Sequence, residues 1–229
     1  KMKKINTLLL DTLDSTSTYA RKNAQTLPLP SLILANEQTA GRGRQGKSFF
    51  SPKDTGLYMT VIFPSPENYE LLTPATAVAV CKALESYGVN PKIKWVNDIF
   101  VDGRKVCGIL SERYIIGNQA VVSVGIGINL TTVNFPAELE IAGSINTDLD
   151  KKVLAEEITH LLFEATDSSD IISEYKNRLF ILGQELTYVK NNSEYQAKAI
   201  DINESCNLIV IHPDGKHELL SSGEISIKL

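Results

Sequence analysis

The chain has 229 residues and a formal net charge of −4, with 43% hydrophobic and 22% charged residues. These values are ordinary for one globular domain, or one domain plus a small one, and they argue against binding nucleic acid through bulk positive charge. Three widely spaced cysteines indicate a reducing compartment, and no stretch has the length of a membrane span. We therefore expect a cytoplasmic protein with neither nucleic acid nor membrane as a partner.

The hydrophobic periodicity predicts a larger domain over residues 1–182 and a small all-β domain over residues 183–229. In chain order, the elements predicted for the larger domain are a strand at 5–10, a helix starting near Ser15, strands at 31–35 and 57–63, a helix from Thr73 to about Tyr87, strands at 93–101, 104–115 and 120–130, and two helices within 150–180. Short strands at 185–190, 195–202, 208–212 and 216–221 follow. Asp102-Gly103 and Gly117-Asn118 are typical of tight turns, so the three strands between 93 and 130 should form an antiparallel meander.

The glycine-rich segment 41–48 fits two phosphate-binding patterns, the P-loop and the dinucleotide fingerprint. Both patterns require a helix directly after the loop, because the helix N-terminus helps to hold the phosphates. Pro52, Asp54 and Gly56 follow within a few residues and do not predict a helix. The remaining interpretation is a flexible backbone whose cations bind a carboxylate beside a phosphate. The ordinary alternative is a solvated basic turn.

Six segments of the sequence make the interpretation specific. The segment from Glu37 to Lys47 resembles the biotin-binding loop of biotin–protein ligases. The other segments that resemble motifs of this family are Ser15-Thr16-Ser17, Lys94-Trp95-Val96-Asn97-Asp98, Lys105 to Leu110, Gly125 to Leu130 and Gly223-Glu224-Ile225-Ser226. The resemblance spans nearly the whole chain. It implies an α+β fold, with a mixed or antiparallel sheet and flanking helices of the class II synthetase type, plus a small C-terminal SH3-like β-barrel.

The resemblance also implies an activity. Biotin would be adenylated by ATP, with Mg²⁺, to biotinyl-5′-AMP and then transferred to a lysine of a biotin carboxyl carrier protein. Because the catalytic pattern begins near residue 5, we expect a ligase without an N-terminal DNA-binding domain and without repressor function. The alternatives are a lipoate or octanoate ligase or transferase, a P-loop nucleotide-binding regulator, and a non-catalytic biotin sensor. Exposed edge strands would allow a homodimer.

The family's functional residues transfer to matching positions of this sequence. The implied biotin-binding residues are Ser15, Thr16, Ser17, Gln38, Gly41, Arg42, Gly43, Arg44, Lys105, Gly108, Gly125 and Gly127. The implied ATP-binding residues are Lys47, Phe49, Asn97, Asp98, Lys105 and Asn129. Lys105, Arg42 and Arg44 would be catalytic, and Asp98 would be a metal ligand.

The residues themselves support these assignments and leave alternatives open. A simple two-residue turn at Asp102-Gly103 puts Lys105 opposite Phe100 and Asp98 opposite Cys107, so Asp98 and Lys105 become diagonal neighbours on one face. Strand alternation puts Asn97 on the other face, so either a bulge redirects it or it serves adenine or the structure.

The glycines of the third meander strand share one face. Gly125 and Gly127 lie on the same side as Ser123 and Asn129, which lets either a ligand or a packed helix approach the backbone. Ser15 and Thr16 are equally suited to capping a helix.

The sequence departs from the family pattern at three positions. Val96 replaces a proline, Lys47 an arginine and Phe49 a tryptophan. Since glycines and like charges make few contacts, we expect the Gly41–Lys47 loop to be mobile without ligand.

Overall fold

A mixed β-sheet is the centre of the larger part of the chain; the computed structural model describes residues 4–221 and 226–228. Among the described residues, this sheet has seven strands in the order β1-β2-β3-β7-β6-β5-β4. The strands are β1 (Asn6–Leu13), β2 (Ser31–Gln38), β3 (Gly56–Pro64), β4 (Lys92–Lys94), β5 (Asp98–Val101), β6 (Arg104–Ile116) and β7 (Gln119–Asn129). The pair β1–β2 is parallel and the other pairs are antiparallel, which confirms the α+β prediction.

Helices cover the two faces of this sheet unequally. They are α1 (Thr16–Asn23), α2 (Leu72–Ser86), α3 (Lys151–Thr166) and α4 (Ile171–Lys176). Side chains of α2 and α3 pack in the main core with one face of the sheet, where each buried aliphatic side chain contributes about 1.5–3 kcal/mol. On the other face, Ala20 of α1 and Ala24, the C-cap residue of this helix, pack against Ile33, Ile62 and Val121. The part of this second face that α1 leaves uncovered forms the floor of a pocket.

Capping side chains mark the start of α1 and α3, whereas α2 begins at Leu72 without a side-chain cap. Ser15 caps α1, and its hydroxyl accepts a hydrogen bond from the Thr18 N–H at 3.4 Å. The Asp150 carboxylate caps α3 by accepting from the N–H groups of Lys152 and Val153, both at 3.0 Å. The break expected between the last two helices lies between Thr166 and Ile171, as the sequence predicted.

The three-stranded meander is confirmed, with one change at its start. Both residues of the Asp102-Gly103 turn have positive φ, 50° and 74°, as a two-residue hairpin requires. The single strand predicted over 93–101 is wrong, because β4 and β5 are antiparallel strands joined by a turn that contains the cis peptide Trp95–Val96. Tertiary partners hold this turn: the Trp95 Nε1–H donates to the Cys206 carbonyl at 2.8 Å, and the Tyr175 hydroxyl donates to the Val96 carbonyl at 2.9 Å.

A second, antiparallel sheet follows, as the sequence predicted. Within the described part of the chain it has five strands in the order β11-β10-β9-β8-β12. They are β8 (Glu185–Lys190), β9 (Ser193–Ile202), β10 (Leu208–Ile211), β11 (His217–Leu220) and β12 (Ser226–Lys228). Its buried side chains, such as Leu186 and Leu208, belong to the same core cluster as those of the large sheet. The motif at Gly223–Ile225 lies outside the described residues.

None of the helices in the described part of the chain is long and apolar enough to cross a membrane.

Candidate functional site

The glycine-rich loop folds as a narrow hairpin rather than as the start of a helix. Arg42 and Ser48 form an antiparallel bridge, the Gly43 N–H donates to the Lys47 carbonyl at 2.7 Å, and the Phe49 N–H donates to the Gly41 carbonyl at 2.9 Å. Only a single 3₁₀ turn, Arg44–Gly46, lies within it. In the described residues the next α-helix after Ser48 is α2, beyond β3. The absence of a helix is as predicted, and it removes the basis for a P-loop regulator.

The loop cations have different partners. The Arg42 guanidinium donates to both carboxylate oxygens of Glu112, at 2.8 and 2.9 Å, and this pairing raises the pKa of Arg42. Arg44 donates to Asn97 Oδ1 at 3.0 Å, and its burial lowers its pKa while Asp98 acts in the opposite direction. Lys47 is exposed at the rim of the pocket. The cations therefore surround the pocket at three separate points.

The glycine face of β7 forms part of the pocket floor, as the alternation predicted. A Cβ on Gly125 would lie 2.4 Å from Ser17 Oγ, and one on Gly127 would lie 2.4 Å from Cε1 of Phe49. The same phenyl ring would be 3.4 Å from a Cβ on Gly108 of β6. These glycines allow Phe49 to lie flat against the backbone of two neighbouring strands.

Polar side chains form a connected network at the α1 end of the floor. The backbone N–H and the hydroxyl of Thr16 donate to Gln38 Oε1, at 2.9 and 3.1 Å. Thr60, fully buried on β3, donates to the Thr16 hydroxyl at 2.9 Å and lies 3.2 Å from Ser17 Oγ. Gln38 Nε2 donates onward to Ser51 Oγ at 2.9 Å. The network offers hydrogen-bond donors and acceptors to a small polar ring.

A β-bulge changes the register expected at the hairpin. Lys105 pairs with Phe100 as predicted, but Asp98 pairs with Gly108 and not with Cys107. The register shifts between Ile99 and Phe100: these neighbours on β5 pair with Cys107 and Lys105 on β6. One extra residue of β6 therefore lies between the two pairs, which is a β-bulge. The expected proximity is nevertheless confirmed, because Lys105 Nζ lies 2.8 Å from Asp98 Oδ1.

Asn97 lies in the β4–β5 turn and not within a strand. Strand alternation and a bulge, the two explanations considered for the direction of its side chain, therefore do not apply. Its Oδ1 accepts from Arg44, and its Nδ2 donates to the Ile109 carbonyl at 3.0 Å. Nearby Lys94 is half-buried, and this burial is the largest cause that lowers its pKa. The positive charges of Lys105 and Lys47 lower the pKa further, whereas the negative charge of Asp98 raises it. The turn thus presents an amide and an ammonium group to the same pocket.

Asn129, at the end of β7, has one amide atom in use and one available. Its Nδ2 donates to the Gly143 carbonyl at 3.0 Å. Its Oδ1 is buried and accepts no hydrogen bond within the described part of the chain. The Gly143 N–H also donates to the Lys105 carbonyl at 2.9 Å, so the irregular segment after β7 holds both residues. A buried acceptor without a donor is costly unless a ligand satisfies it.

One cavity of about 1240 Å³ joins these parts. The residues implied by the resemblance that line it are Ser15, Thr16, Ser17, Gln38, Arg42, Gly43, Arg44, Lys47, Phe49, Asn97, Asp98, Lys105, Gly108, Gly125, Gly127 and Asn129. Gly41 does not line the cavity, but a Cβ there would lie 2.4 Å from the Phe49 carbonyl, so it allows the loop to close on itself. The volume exceeds that of a typical pocket for one small ligand and suits two substrates side by side.

Comparison with known proteins identifies the family. Residues 9–129 match the model of the biotin/lipoate A/B protein ligase family, and residues 181–228 match that of the biotin protein ligase C-terminal domain. The chain belongs to the biotin/lipoate A/B protein ligase family. The family membership confirms the resemblance drawn from the motifs.

Relatives within this family differ in length from the chain. The bifunctional ligase/repressor BirA of Bacillus subtilis is 34% identical over 162 residues, which cover 66% of this chain and 50% of that protein. BirA of Salmonella typhimurium is 25% identical over 97% of this chain and 74% of its own length. The biotin–[acetyl-CoA-carboxylase] ligase of Paracoccus denitrificans is 37% identical over 53% of each chain. The chain thus spans half the length of its Bacillus subtilis relative.

Solved structures confirm the fold of this family member. A biotin protein ligase from Aquifex aeolicus, in complex with biotin and ATP, has a TM-score of 0.84 at 24% identity and covers 97% of this chain and 98% of its own. A biotin protein ligase from Leishmania major, in complex with biotinyl-5-AMP, has a TM-score of 0.66 at 25% identity and covers 95% and 99%. Both matches extend over the large sheet and the small one.

Three residues next to the site of this ligase-family chain, Thr60, Ser51 and Glu112, were not singled out from the sequence. Thr60 and Ser51 complete the polar network, and Glu112 binds Arg42. Lys94, which belongs to one of the family motifs but was given no role, adds a cation to the pocket. The alternation of β3 places Thr60 on the face of Gly56 and Tyr58, which a search for polar residues in apolar strands would have found. No comparable signal pairs Glu112 with Arg42, because they lie 70 residues apart.

Proposed function

We propose that the chain is a cytoplasmic biotin–protein ligase, which adenylates biotin with ATP and transfers the biotinyl group to a lysine of an acceptor protein. The observation that carries the proposal is the position of Lys105. Its ammonium-bearing side chain lines one continuous cavity together with Thr16 and Gln38 of the polar network and with the loop cations Arg44 and Lys47. A carboxylate held on one side and a triphosphate held on the other would meet beside this ammonium group.

The first reaction joins these two anions. An oxygen of the biotin carboxylate attacks the α-phosphorus of ATP, a P–O bond forms, and the bond from the α-phosphorus to the bridging oxygen breaks to release pyrophosphate. Negative charge gathers at the reacting centre, where Lys105 would offset it through a short electrostatic interaction in a partly desolvated site. In the second reaction an acceptor ε-amine attacks the acyl carbon of biotinyl-5′-AMP, loses a proton, and AMP leaves.

Biotin fits the polar end of the cavity. Its ureido ring offers N–H donors and a carbonyl acceptor, which match the hydroxyl and amide groups of Ser15, Thr16, Ser17 and Gln38. These groups lie beside Gly125, where the sheet surface carries no side chain. The ring would therefore lie next to Ser17 and Phe49, which contact Gly125 and Gly127 of the glycine face, while the valeryl chain extends toward Lys105.

ATP fits the opposite end. The buried Oδ1 of Asn129 needs a donor, and an exocyclic amine such as that of adenine supplies one. Phe49 offers an aromatic face for stacking, and Asn97, Lys47 and Arg44 surround the space for phosphates.

A magnesium ion bound with ATP is compatible with the groups present. No set of three described His, Cys, Asp or Glu side chains forms a metal site by itself. Mg²⁺ commonly binds proteins through one or two carboxylates and completes its shell with phosphates and water, so Asp98 is the residue that would hold it. The ion would supply charge neutralisation for the phosphates.

The acceptor is proposed to be a biotin carboxyl carrier domain. The support is the name of the Paracoccus denitrificans relative, a biotin–[acetyl-CoA-carboxylase] ligase, which is 37% identical to this chain over 131 residues. We also propose a division into a catalytic domain, residues 1–182, and a small domain, residues 183–229, which agrees with separate family matches at 9–129 and 181–228.

A lipoate or octanoate ligase is the second candidate, because the family includes lipoate ligases. The buried polar network argues against it. Neither a dithiolane ring nor an alkyl chain offers N–H donors or a carbonyl acceptor, so these ligands would form no hydrogen bond with the hydroxyl and amide groups of this network.

A biotin-dependent exchange of labelled pyrophosphate into ATP tests the proposal. The expected result is exchange with biotin and none with lipoate or octanoate, supported by calorimetric binding of biotin. Exchange that depends on lipoate, or binding of lipoate in preference to biotin, would contradict the biotin assignment.

A further inference from the structure

The carboxylate of Glu112 lies on the pocket side of β6, beyond Gly108 and Leu110. It accepts two parallel hydrogen bonds from Arg42: Nη2 donates to Oε1 at 2.8 Å and Nη1 to Oε2 at 2.9 Å. The Arg42 side chain is 35% exposed and that of Glu112 is 21% exposed. A bidentate Arg–carboxylate pair of this kind is both stronger and more directional than an ordinary surface ion pair.

The pair joins the base of the glycine-rich loop to the central sheet. Arg42 is also the residue whose backbone forms the bridge with Ser48 that closes the loop hairpin. Glu112 is held in register by β7, where it pairs with Ser123. The Arg42–Glu112 pair thus attaches the loop at its base, where Arg44 adds a hydrogen bond to Asn97 and Phe49 packs against β6 and β7.

We propose that Glu112 is a positioning residue that, through Arg42, holds the 41–49 loop closed over the pocket. The kinetic consequences of this inference rest on the proposed biotin-ligase function, whereas the attachment of the loop does not. Under this proposal Arg42 attaches the loop to the sheet, because both of its terminal nitrogens already donate to Glu112. Arg44 and Lys47 then carry the contacts to carboxylate and phosphate.

The consequence for kinetics follows from a closed–open equilibrium. If substrates bind tightly only when the loop is closed, the apparent dissociation constant equals the intrinsic one divided by the closed fraction. Breaking the pair lowers the closed fraction of the free enzyme. Bound substrates, held by Arg44 and Lys47, still close the loop at saturation. The pair should therefore act on KM and leave kcat nearly unchanged.

The first experiment uses Glu112→Gln in the full chain, because this change keeps the shape and removes the charge. We expect the KM for biotin in pyrophosphate exchange to rise about tenfold while kcat stays within about twofold, as a tenfold loss of the closed fraction requires. Without ligand, the amides of residues 41–49 should exchange with deuterium faster. Glu85→Gln is the matched control, since Glu85 accepts a similar two-point contact from Arg178, at 2.9 and 2.9 Å, away from the pocket.

A charge exchange provides the rescue. Arg42→Glu alone should raise KM at least as much as Glu112→Gln, because it places two carboxylates together. Combining Arg42→Glu with Glu112→Arg restores an opposite-charge pair and should recover most of the lost affinity. Arg42→Lys keeps the positive charge but loses the two-point contact with the carboxylate, so its KM should lie between those of the unmodified chain and Arg42→Glu. This milder change keeps the test usable if Arg42→Glu prevents folding.

Two results would overturn the inference. One is a large fall in kcat with unchanged KM in Glu112→Gln, which would mean that the pair acts on the reacting groups. The other is unchanged KM together with unchanged deuterium exchange in the loop. Absence of biotin-dependent exchange in the unmodified chain would instead contradict the proposed function, and the deuterium measurement would still decide whether Glu112 holds the loop.

Discussion

Lys105 Nζ lies 2.8 Å from Asp98 Oδ1, although the two residues are not direct partners across β5 and β6. The bulge at the start of β6 shifts Asp98 to a position opposite Gly108. The ammonium group is therefore held over the pocket by a carboxylate, and an anionic substrate would share it. This arrangement keeps a positive charge in place before the substrates arrive, which reduces the reorganisation needed when charge develops.

Removing that ammonium group should slow the first reaction strongly. Lys105→Ala should lower kcat for biotin-dependent pyrophosphate exchange by about 10²–10³-fold, since it removes a preorganised electrostatic contact. The matched control is Lys92→Ala, which removes an exposed β4 side chain that also lines the cavity and should change kcat by less than about threefold. Full exchange activity in Lys105→Ala would remove the residue from the mechanism.

The glycine face of β7 should be intolerant of a methyl group. In Gly127→Ala the new Cβ would lie 2.4 Å from the Phe49 ring, and displacing this ring would fill the pocket floor. We expect substrate affinity to fall about tenfold or more, with a change in stability below about 1 kcal/mol, because the ring is able to move. Ser123→Ala, on the same face of β7 but outside the cavity, is the control. Calorimetry and thermal unfolding separate the two effects, and unchanged affinity would contradict a ligand on this face.

Cys107 should be chemically silent despite its place in a family motif. Burial is the largest cause that raises the pKa of the Cys107 thiol well above its usual value, and burial likewise raises the pKa of Cys81 to about 12. A protonated, inaccessible thiol is a poor nucleophile. We expect Cys107→Ala to keep exchange activity within about twofold and to lose about 1 kcal/mol of stability. Thiol titration of the native protein should give little reaction until denaturant is added; rapid reaction of Cys107 would contradict its burial.

The small sheet should lose stability in acid through Glu218. Its carboxylate accepts from Lys190 at 2.5 Å and from the Tyr188 hydroxyl at 2.6 Å, and the hydrogen bond from Lys190 is the largest cause that lowers the pKa of Glu218 from 4.5 to about 2. A carboxyl with a lowered folded pKa stabilises the fold fully above its unfolded pKa. This contribution is therefore complete above pH 4.5 and is lost as the pH falls toward about 2.

Glu218→Gln tests this acid dependence. It should lower the free energy of unfolding near neutral pH by about 1 kcal/mol, allowing for solvent screening, and by less in acid. Glu156→Gln, which removes an exposed contact of 4.0 Å with Lys152, should have almost no effect at either pH. Denaturant unfolding at several pH values gives the comparison, and an equal loss at all pH values would contradict the ionic origin.

The sequence alone predicted most of the fold because local signals and the sheet pattern agreed. Turn residues such as Asp102-Gly103 require positive φ and leave little choice of conformation. Alternation along β7 correctly separated the glycine face from the core face of Val122, Val124 and Ile126. The loop hairpin after Gly41 was recognisable as a non-helical segment because Pro52 and Gly56 follow it.

The parts that the sequence missed depend on contacts between distant residues. The β4–β5 turn exists because Trp95 and Val96 find partners at Cys206 and Tyr175, which no local pattern indicates. The bulge on β6 is likewise a property of pairing, since a simple hairpin predicts a different partner for Asp98.

The sequence by itself determined the family, the fold class and which residue types line the pocket, because backbone propensity, alternation and motif order are local properties of the chain. The tertiary structure decided how those residues are used. It paired Arg42 with Glu112 across 70 residues, turned Asn97 toward Arg44, and buried the Oδ1 of Asn129 without a donor among the described residues. The physical reason is that hydrogen-bond partners of side chains are set by the packing of whole strands, and one extra residue in a strand changes which side chains meet.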